Sequence, residues 1–227
     1  YTKVTRFSDD RYSGLAKFFV GNVSNLFENE STVLGDVAPL AFSKSRTKDF
    51  IDRMKASGFF TGFSDAALAG IAANATAESG IYARAAGDAN VNGARERSIT
   101  ATSEYLGKSK QGDWCSFGFF QLNVCGEGAE GMLIAKKNGW MDESGNWIEP
   151  DGKEKFKEWV YYNNGENQLK YVAGRLKQLI PNYINTDKPY DFGYQMTVKF
   201  EKPVKKEEKG QQRGLTADEI YKSWKNK

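Results

Sequence analysis

Glu78 lies where a small-residue, apolar segment meets a glycine, in the sequence GIAANATAESG at positions 70–80. A helix turns about 100° per residue, which places Glu78 at the border of an apolar stripe formed by Leu68, Ile71 and Ala75. Desolvation at this border and the negative end of the helix dipole both favour the protonated carboxylic acid. Such a group can serve as a general acid. The alternative is an ordinary surface glutamate at a helix end.

The composition restricts catalysis to carboxylates. The chain has no histidine, and its two cysteines are Cys115 and Cys125. This excludes Ser-His and Cys-His nucleophile pairs and leaves no basis for a zinc cluster. We therefore expect neither a metal nor an organic cofactor. A carboxylic acid that keeps its proton near neutral pH can donate it to a glycosidic oxygen.

The charge balance argues against nucleic acid as a partner. Lys and Arg number 32 and Asp and Glu number 29, which gives a net charge of +3. This net charge is too small to indicate a nucleic-acid-binding surface, but a mildly basic surface is compatible with binding an acidic polymer. No run of about 18 or more apolar residues is present, so no membrane span is expected.

Helix signals are strong from position 47 onward. Thr47 is the predicted N-cap of a first helix that Gly58 ends. Ser64 is the predicted N-cap of a buried second helix that Gly80 ends. Residues 1–42 show no sustained periodicity and are interpreted as an N-terminal extension or linker, with residues 43–227 as one domain.

The second half of the chain contains two further helical patterns and one ambiguous segment. Residues 128–139 predict a short helix, and residues 166–180 predict a longer one that Pro181 halts. In residues 192–200 the apolar side chains fit both strand alternation and helical spacing. The polar residues 89–114 are interpreted as an insertion, mainly loop.

The C-terminal segment contains a charged stretch followed by a capping pattern. Residues 202–214, KPVKKEEKGQQRG, are interpreted as a solvated linker. Thr216 and Glu219 then form a T-x-x-E capping box, which predicts a short final helix.

Cys115 and Cys125 bracket the segment SFGFFQLNV. This spacing fits a local disulfide that closes a loop, which would suit a protein acting outside the cytosol. Two reduced, half-buried thiols are the alternative.

Several short motifs occur in an order that resembles the phage tail lysozyme family of lysozyme-like peptidoglycan hydrolases. The matching residues are Ser64-Asp65-Ala66-Ala67, Glu78-Ser79-Gly80, Gly87-Asp88, Ser116-Phe117-Gly118 and Gln121. The resemblance continues through ENQLKYVAGRL, then FEKP, Arg213 and the final helix, and so covers about Thr47 to Trp224. It also favours helix over strand for residues 192–200.

The resemblance implies a mainly α, lysozyme-like domain with a small hairpin or loop insertion, an α+β arrangement being the alternative. It implies that Glu78 donates a proton during cleavage of the β-1,4 bond between N-acetylmuramic acid and N-acetylglucosamine. Asp88, in the matching Gly-Asp, is the first candidate for a second catalytic carboxylate, and Asp113 is the next. Either aspartate could instead cap a turn.

Four residues are expected to bind substrate if the resemblance holds. Ser116 and Gln121 would do so through hydroxyl and amide hydrogen bonds, or would satisfy backbone groups of a tight loop. Phe119 would stack on a sugar, or would belong to the core. Ser79 would contribute beside Glu78, or would orient that side chain and cap the helix end.

The expected partner is bacterial peptidoglycan, with other phage tail or virion proteins as further partners. The expected location is a virion tail or the extracellular space, acting in the host periplasm or cell wall. A lytic transglycosylase acting on the same bond is the first alternative, since the sugar's own hydroxyl can attack without a second carboxylate. A non-catalytic, glycan-binding structural tail module is the second.

Overall fold

The computed structural model of the chain describes residues 37–83, 85–91, 94–98, 115–125, 128–203 and 205–226. The chain divides into two compact units, Tyr1–Pro39 and Leu40–Lys227. The second unit contains every described helix and strand. The predicted extension at 1–42 falls mostly on residues 1–36, which lie outside the described residues, and its boundary stays a prediction.

The described part of the chain is mainly helical, as predicted. None of its helices is both long enough and apolar enough to cross a membrane. The π-helical segment Thr197–Glu201 directly follows the α-helix that ends at Met196. The α-helices are α1 (Lys44–Ala56), α2 (Asp65–Ser79), α3 (Glu130–Lys137), α4 (Gly152–Tyr161), α5 (Glu166–Leu179), α6 (Pro189–Met196) and α7 (Lys206–Lys225).

A small antiparallel sheet accompanies the helices. Its strands are β1 (Ala86–Val91), β2 (Ala94–Ser98), β3 (Ser116–Phe117) and β4 (Leu122–Asn123), in the order β2-β1-β3-β4. Val91 pairs with Ala94, so β1 and β2 form a hairpin at the start of the predicted polar insertion. The insertion was expected to be mainly loop, and this part of it is strand. Residues 99–114 lie outside the described residues.

Helix α2 has the boundaries that its end residues predict. The Ser64 hydroxyl accepts a hydrogen bond from the backbone N–H of Ala67 at 3.0 Å. Gly80 adopts φ +65°, and its N–H donates to the carbonyl of Thr76 at 2.9 Å. A left-handed residue after the last turn satisfies carbonyls that the helix leaves open, and glycine adopts this conformation without a Cβ clash. Residues 66–75 are all buried, which confirms a buried helix.

Helices α2, α6 and α7 pack at short range because small residues line their contacts. A Cβ on Gly70 would lie 2.8 Å from the backbone nitrogen of Gly193, so α2 and α6 touch through their backbones. A Cβ on Gly214 would lie 2.6 Å from the ring of Tyr190, and one on Gly210 would lie 2.8 Å from the ring of Tyr194. The glycines of α7 therefore face the tyrosines of α6.

The interpretation of residues 202–214 as a linker is wrong from Lys206 onward, because α7 begins there. The charged side chains of that stretch predicted a solvated linker, whereas its glycines are the positions at which α7 approaches α6. The predicted capping box is wrong for the same reason. Thr216 lies inside α7, fully buried, where its hydroxyl donates to the carbonyl of Gln212 at 2.7 Å.

The predicted cap of the first helix is displaced by four positions. Helix α1 begins at Lys44, with Ser43 as its N-cap, and Thr47 is a buried residue inside the helix. The C-terminal prediction was closer, since the helix ends at Ala56 and Gly58 follows at φ +72°. The ambiguous segment is helical, formed by α6 and the π-helical segment.

Candidate active site

Glu78 lies in the last turn of α2 and forms an ion pair with Arg213, which lies in the middle of α7. The Nη2 group of Arg213 donates to Oε1 of Glu78. The arginine side chain is 5% exposed and the glutamate side chain 18% exposed. Glu78 therefore reaches solvent, while its counter-charge comes from the interior.

Asn74, one turn before Glu78, holds Arg213 in place. The Oδ1 atom of Asn74 accepts from Nη1 of Arg213 at 3.0 Å and from the Thr197 hydroxyl at 2.9 Å. Its Nδ2 group donates to the carbonyls of Gly70 at 3.0 Å and Gly193 at 3.1 Å. This fully buried amide therefore connects α2, α6, the π-helical segment and α7. Its three other partners fix the Asn74 amide, which leaves the Arg213 guanidinium little freedom to move away from Glu78.

Glu201, the last residue of the π-helical segment, brings a second carboxyl to this cluster. Its Oε1 atom is buried and has no hydrogen-bond partner among the described residues. Burial raises the pKa of Glu201 well above its ordinary value, and the negative charges of Glu78 and Glu130 act in the same direction. The positive charge of Arg213 acts against them.

Glu130 opens α3 and belongs to a second ion pair. Its carboxylate accepts from Nε of Arg175 at 3.0 and 3.1 Å and from the Tyr171 hydroxyl, both on α5. The Glu130 side chain is 7% exposed and the Arg175 side chain 27% exposed, so the pair is half-buried. Burial and the contact with Glu130 both raise the pKa of the Tyr171 hydroxyl, which keeps its proton for that hydrogen bond.

The turn between β3 and β4 is fastened to the end of α2. Ser79 is 2% exposed, and its hydroxyl donates to the carbonyls of Phe119 at 2.9 Å and Ala75 at 3.1 Å. From α5, Oε1 of Gln168 accepts from the backbone N–H of Phe119 at 2.7 Å. A Cβ on Gly118 would lie 2.2 Å from that Oε1 atom, so glycine is required there. The turn is thus held in register with Glu78 by buried contacts.

These contacts correct the expectation that Ser79 and Phe119 bind substrate. The Ser79 hydroxyl is buried and bonded to backbone carbonyls, so it fixes the turn. Phe119 is 3% exposed and packs on Phe50 with ring centroids 4.9 Å apart, so its ring belongs to the core.

Ser116 and Gln121 are also buried, and each forms a hydrogen bond within the β3–β4 hairpin. The Ser116 hydroxyl is fully buried and accepts from Nδ2 of Asn123 at 3.1 Å. Gln121 adopts φ +46° and donates from Nε2 to the carbonyl of Gly118 at 3.0 Å. Both side chains therefore contribute hydrogen bonds to the turn, which is the structural role that the sequence offered as the alternative. Neither side chain is exposed to solvent, and their part in substrate binding stays a prediction.

Of the two predicted second carboxylates, the structure describes only the backbone of Asp88. Asp88 lies in β1, and its side chain is outside the described part of the chain. Asp113 is outside the described residues. Gly87 pairs with Ser116, so the strand that contains Asp88 runs beside the turn that Ser79 fastens.

Cys115 and Cys125 form a disulfide that closes this turn, with their Cα atoms 5.4 Å apart.

A cavity of about 260 Å³ lies beside the end of α2, on a different face from Glu78. Thr76, which lines it, precedes Glu78 by two residues and so points about 200° away around the helix axis. The cavity does not contain the Glu78 carboxylate. The residues that line the cavity are Ala41, Phe42, Ser43, Arg46, Thr47, Thr76, Gly80 and Ile81.

In the described ranges, no group of three His, Cys, Asp or Glu side chains is arranged to hold a metal ion.

The sequence did not assign a role to three residues of this cluster. Glu201, in FEKP, and Arg213 belong to the C-terminal motifs of the resemblance. Their place in those motifs is the only sequence feature that points to them. Asn74 carried no signal, since a buried amide on a helix is common. Arg213 and Glu201 act on Glu78 from distant parts of the chain, and Asn74 acts on it through Arg213.

Comparison of the chain with protein-family models, with curated proteins and with solved structures gave no match. The residues around Glu78 are therefore the basis on which a function is inferred.

Proposed function

We propose that the chain is a peptidoglycan-degrading glycosidase of lysozyme type, with Glu78 as the proton donor. The observation that supports this most strongly is the pairing of a solvent-reaching carboxylate with a buried guanidinium at the end of a buried helix. The motif order that resembles phage tail lysozymes supports the same substrate. The proposed bond is the β-1,4 linkage between N-acetylmuramic acid and N-acetylglucosamine.

In this reaction the protonated Glu78 carboxyl gives its proton to the glycosidic oxygen as the bond to the anomeric carbon breaks. The carboxylate that develops on Glu78 is already beside Arg213, which Asn74 keeps oriented. A fixed charge aimed at developing negative charge lowers the barrier without reorganisation at the moment of reaction.

The cationic sugar that remains can be attacked by water or by its own hydroxyl. Attack by water requires a carboxylate on the opposite face of the sugar, and Asp88 stays the candidate for this role. A lytic transglycosylase is the second candidate function, and the buried Oε1 atom of Glu201 is the observation that favours it. Because Oε1 of Glu201 is buried, this oxygen is not available to activate a water molecule.

The proposed setting is a phage tail or another virion-associated device that opens the cell wall during entry. The mildly basic net charge of +3 suits contact with an anionic wall polymer. Other tail proteins are the proposed neighbours, with the polar insertion as a surface for them. A non-catalytic glycan-binding module is the remaining alternative.

A turbidity assay on purified bacterial sacculi tests this proposal. Glu78→Gln keeps the size and the acceptor oxygen but removes the acid, whereas Glu158→Gln changes an exposed glutamate of α4 as a matched control. Wild type and Glu158→Gln should clear the suspension, and Glu78→Gln should be slower by about 100-fold or more. Sedimentation with sacculi is measured in parallel. Binding without clearing by any variant would contradict the glycosidase and support the binding module.

A further inference from the structure

The carboxyl of Glu201 is surrounded by charged groups from three other helices. Glu78 of α2, Arg213 of α7 and Glu130 of α3 all act on it electrostatically. On its own segment and just after it, Lys199 and Lys202 are exposed.

The Oε1 atom of Glu201 is buried, and no described residue donates a hydrogen bond to it. An ionised carboxylate would place negative charge on an oxygen that no described donor stabilises, and this is costly for a buried atom. A neutral carboxylic acid lowers this cost. The unpartnered Oε1 atom therefore supports the protonated form of Glu201.

The guanidinium groups of the cluster have carboxyl partners other than Glu201. Arg213 is paired with Glu78, and Arg175 is paired with Glu130. An ionised Glu201 would therefore compete with Glu78 for Arg213.

We infer that Glu201 is a positioning residue that stays a neutral carboxylic acid while the site is active and so leaves the charge of Arg213 to Glu78. The catalytic part of this inference rests on the proposed function of Glu78. Loss of the Glu201 proton places a second negative charge beside Arg213 and weakens the contact that orients Glu78. A rise in pH therefore switches the site off through Glu201, which acts through Arg213 without contacting substrate.

The first test measures the free energy of unfolding against pH and does not depend on activity. Burial raises the pKa of Glu201 in the folded state, so between the unfolded and folded pKa values the folded state binds more protons. Stability must then fall as pH rises through that interval. Glu201→Gln cannot titrate and lacks this contribution. Urea unfolding from about pH 4 to about pH 9 compares wild type, Glu201→Gln and the exposed control Glu158→Gln.

The expected result is that Glu201→Gln gains stability relative to wild type as pH rises, while Glu158→Gln stays parallel to wild type. When Glu201→Gln is introduced into Glu78→Gln, the difference in the free energy of unfolding should stop increasing at a lower pH. The reason is that the negative charge of Glu78, which helps to raise the pKa of Glu201, is absent. A difference between wild type and Glu201→Gln that does not change with pH would overturn the inference.

The second test is the pH profile of sacculus clearing. The alkaline limb of Glu201→Gln should lie at higher pH than that of wild type, by about one pH unit or more. Coincident alkaline limbs would overturn the role of Glu201 in positioning Glu78. If wild type clears no sacculi while the stability difference changes with pH as expected, the proposed function fails and the neutral state of Glu201 stands.

Discussion

The guanidinium of Arg213 and the carboxylate of Glu78 form an ion pair across 135 residues of sequence. One partner is buried in the middle of α7, and the other reaches solvent at the end of α2. Because the buried partner is fixed by Asn74, the pair sets both the position and the charge balance of Glu78.

Replacement of Arg213 by methionine should destabilise the fold strongly. It leaves the Glu78 carboxylate without its buried counter-charge, and removing one member of a buried pair costs about 3–5 kcal/mol. Urea unfolding measures the loss. Lys222→Met is the matched control, since Lys222 lies on the same helix in an exposed pair with Glu219 at 3.0 Å. The control should change stability by less than about 1 kcal/mol. Equal effects of the two substitutions would contradict a structural role for the Arg213 pair.

Two glycine-to-alanine substitutions should change stability in opposite directions. Gly70→Ala places a Cβ 2.8 Å from the backbone nitrogen of Gly193, and such overpacking costs about 1–3 kcal/mol. Gly174→Ala in α5 meets nothing within 4 Å and should stabilise by about 0.4–1 kcal/mol, because alanine restricts the unfolded chain. Thermal unfolding of the two variants checks this. A stabilising Gly70→Ala would show that α2 and α6 are not in close contact there.

Reduction of the Cys115–Cys125 disulfide should destabilise the turn that Ser79 fastens. The bond closes a short loop, with a sequence separation of 10, which corresponds to about 2–3 kcal/mol of loop-closure entropy. Urea midpoints with and without reductant measure the effect, and the intact mass after alkylation counts the free thiols. Alkylation of both cysteines before reduction would contradict the bond.

The local parts of the fold could be predicted from the sequence because their signals are local. Ser64 and Gly80 define the ends of α2 through hydrogen bonds and a dihedral angle that depend on a few neighbouring residues. The start of α7 could not be predicted in this way. Gly210 and Gly214 are typical of a linker when considered alone, and their role in helix packing depends on Tyr194 and Tyr190 of another helix.

The candidate site shows the same division between local and long-range information. The position of Glu78 at the end of a buried helix follows from the periodicity of one segment. Its charged surroundings do not, because Arg213 and Glu201 approach it only once α2, the π-helical segment and α7 are packed together. Phe119 illustrates the opposite error, since an aromatic residue near a presumed groove proved to be part of the core.

The most direct measurement of the central claim is the chemical identity of fragments that the chain releases from purified peptidoglycan. Wild type and Glu78→Gln are incubated with the polymer, and the soluble products are analysed by mass spectrometry. We predict muropeptides from wild type alone, with reducing ends for a hydrolase or anhydro ends for a transglycosylase. Equal amounts of the same fragments from Glu78→Gln would contradict the assignment of Glu78 as the proton donor.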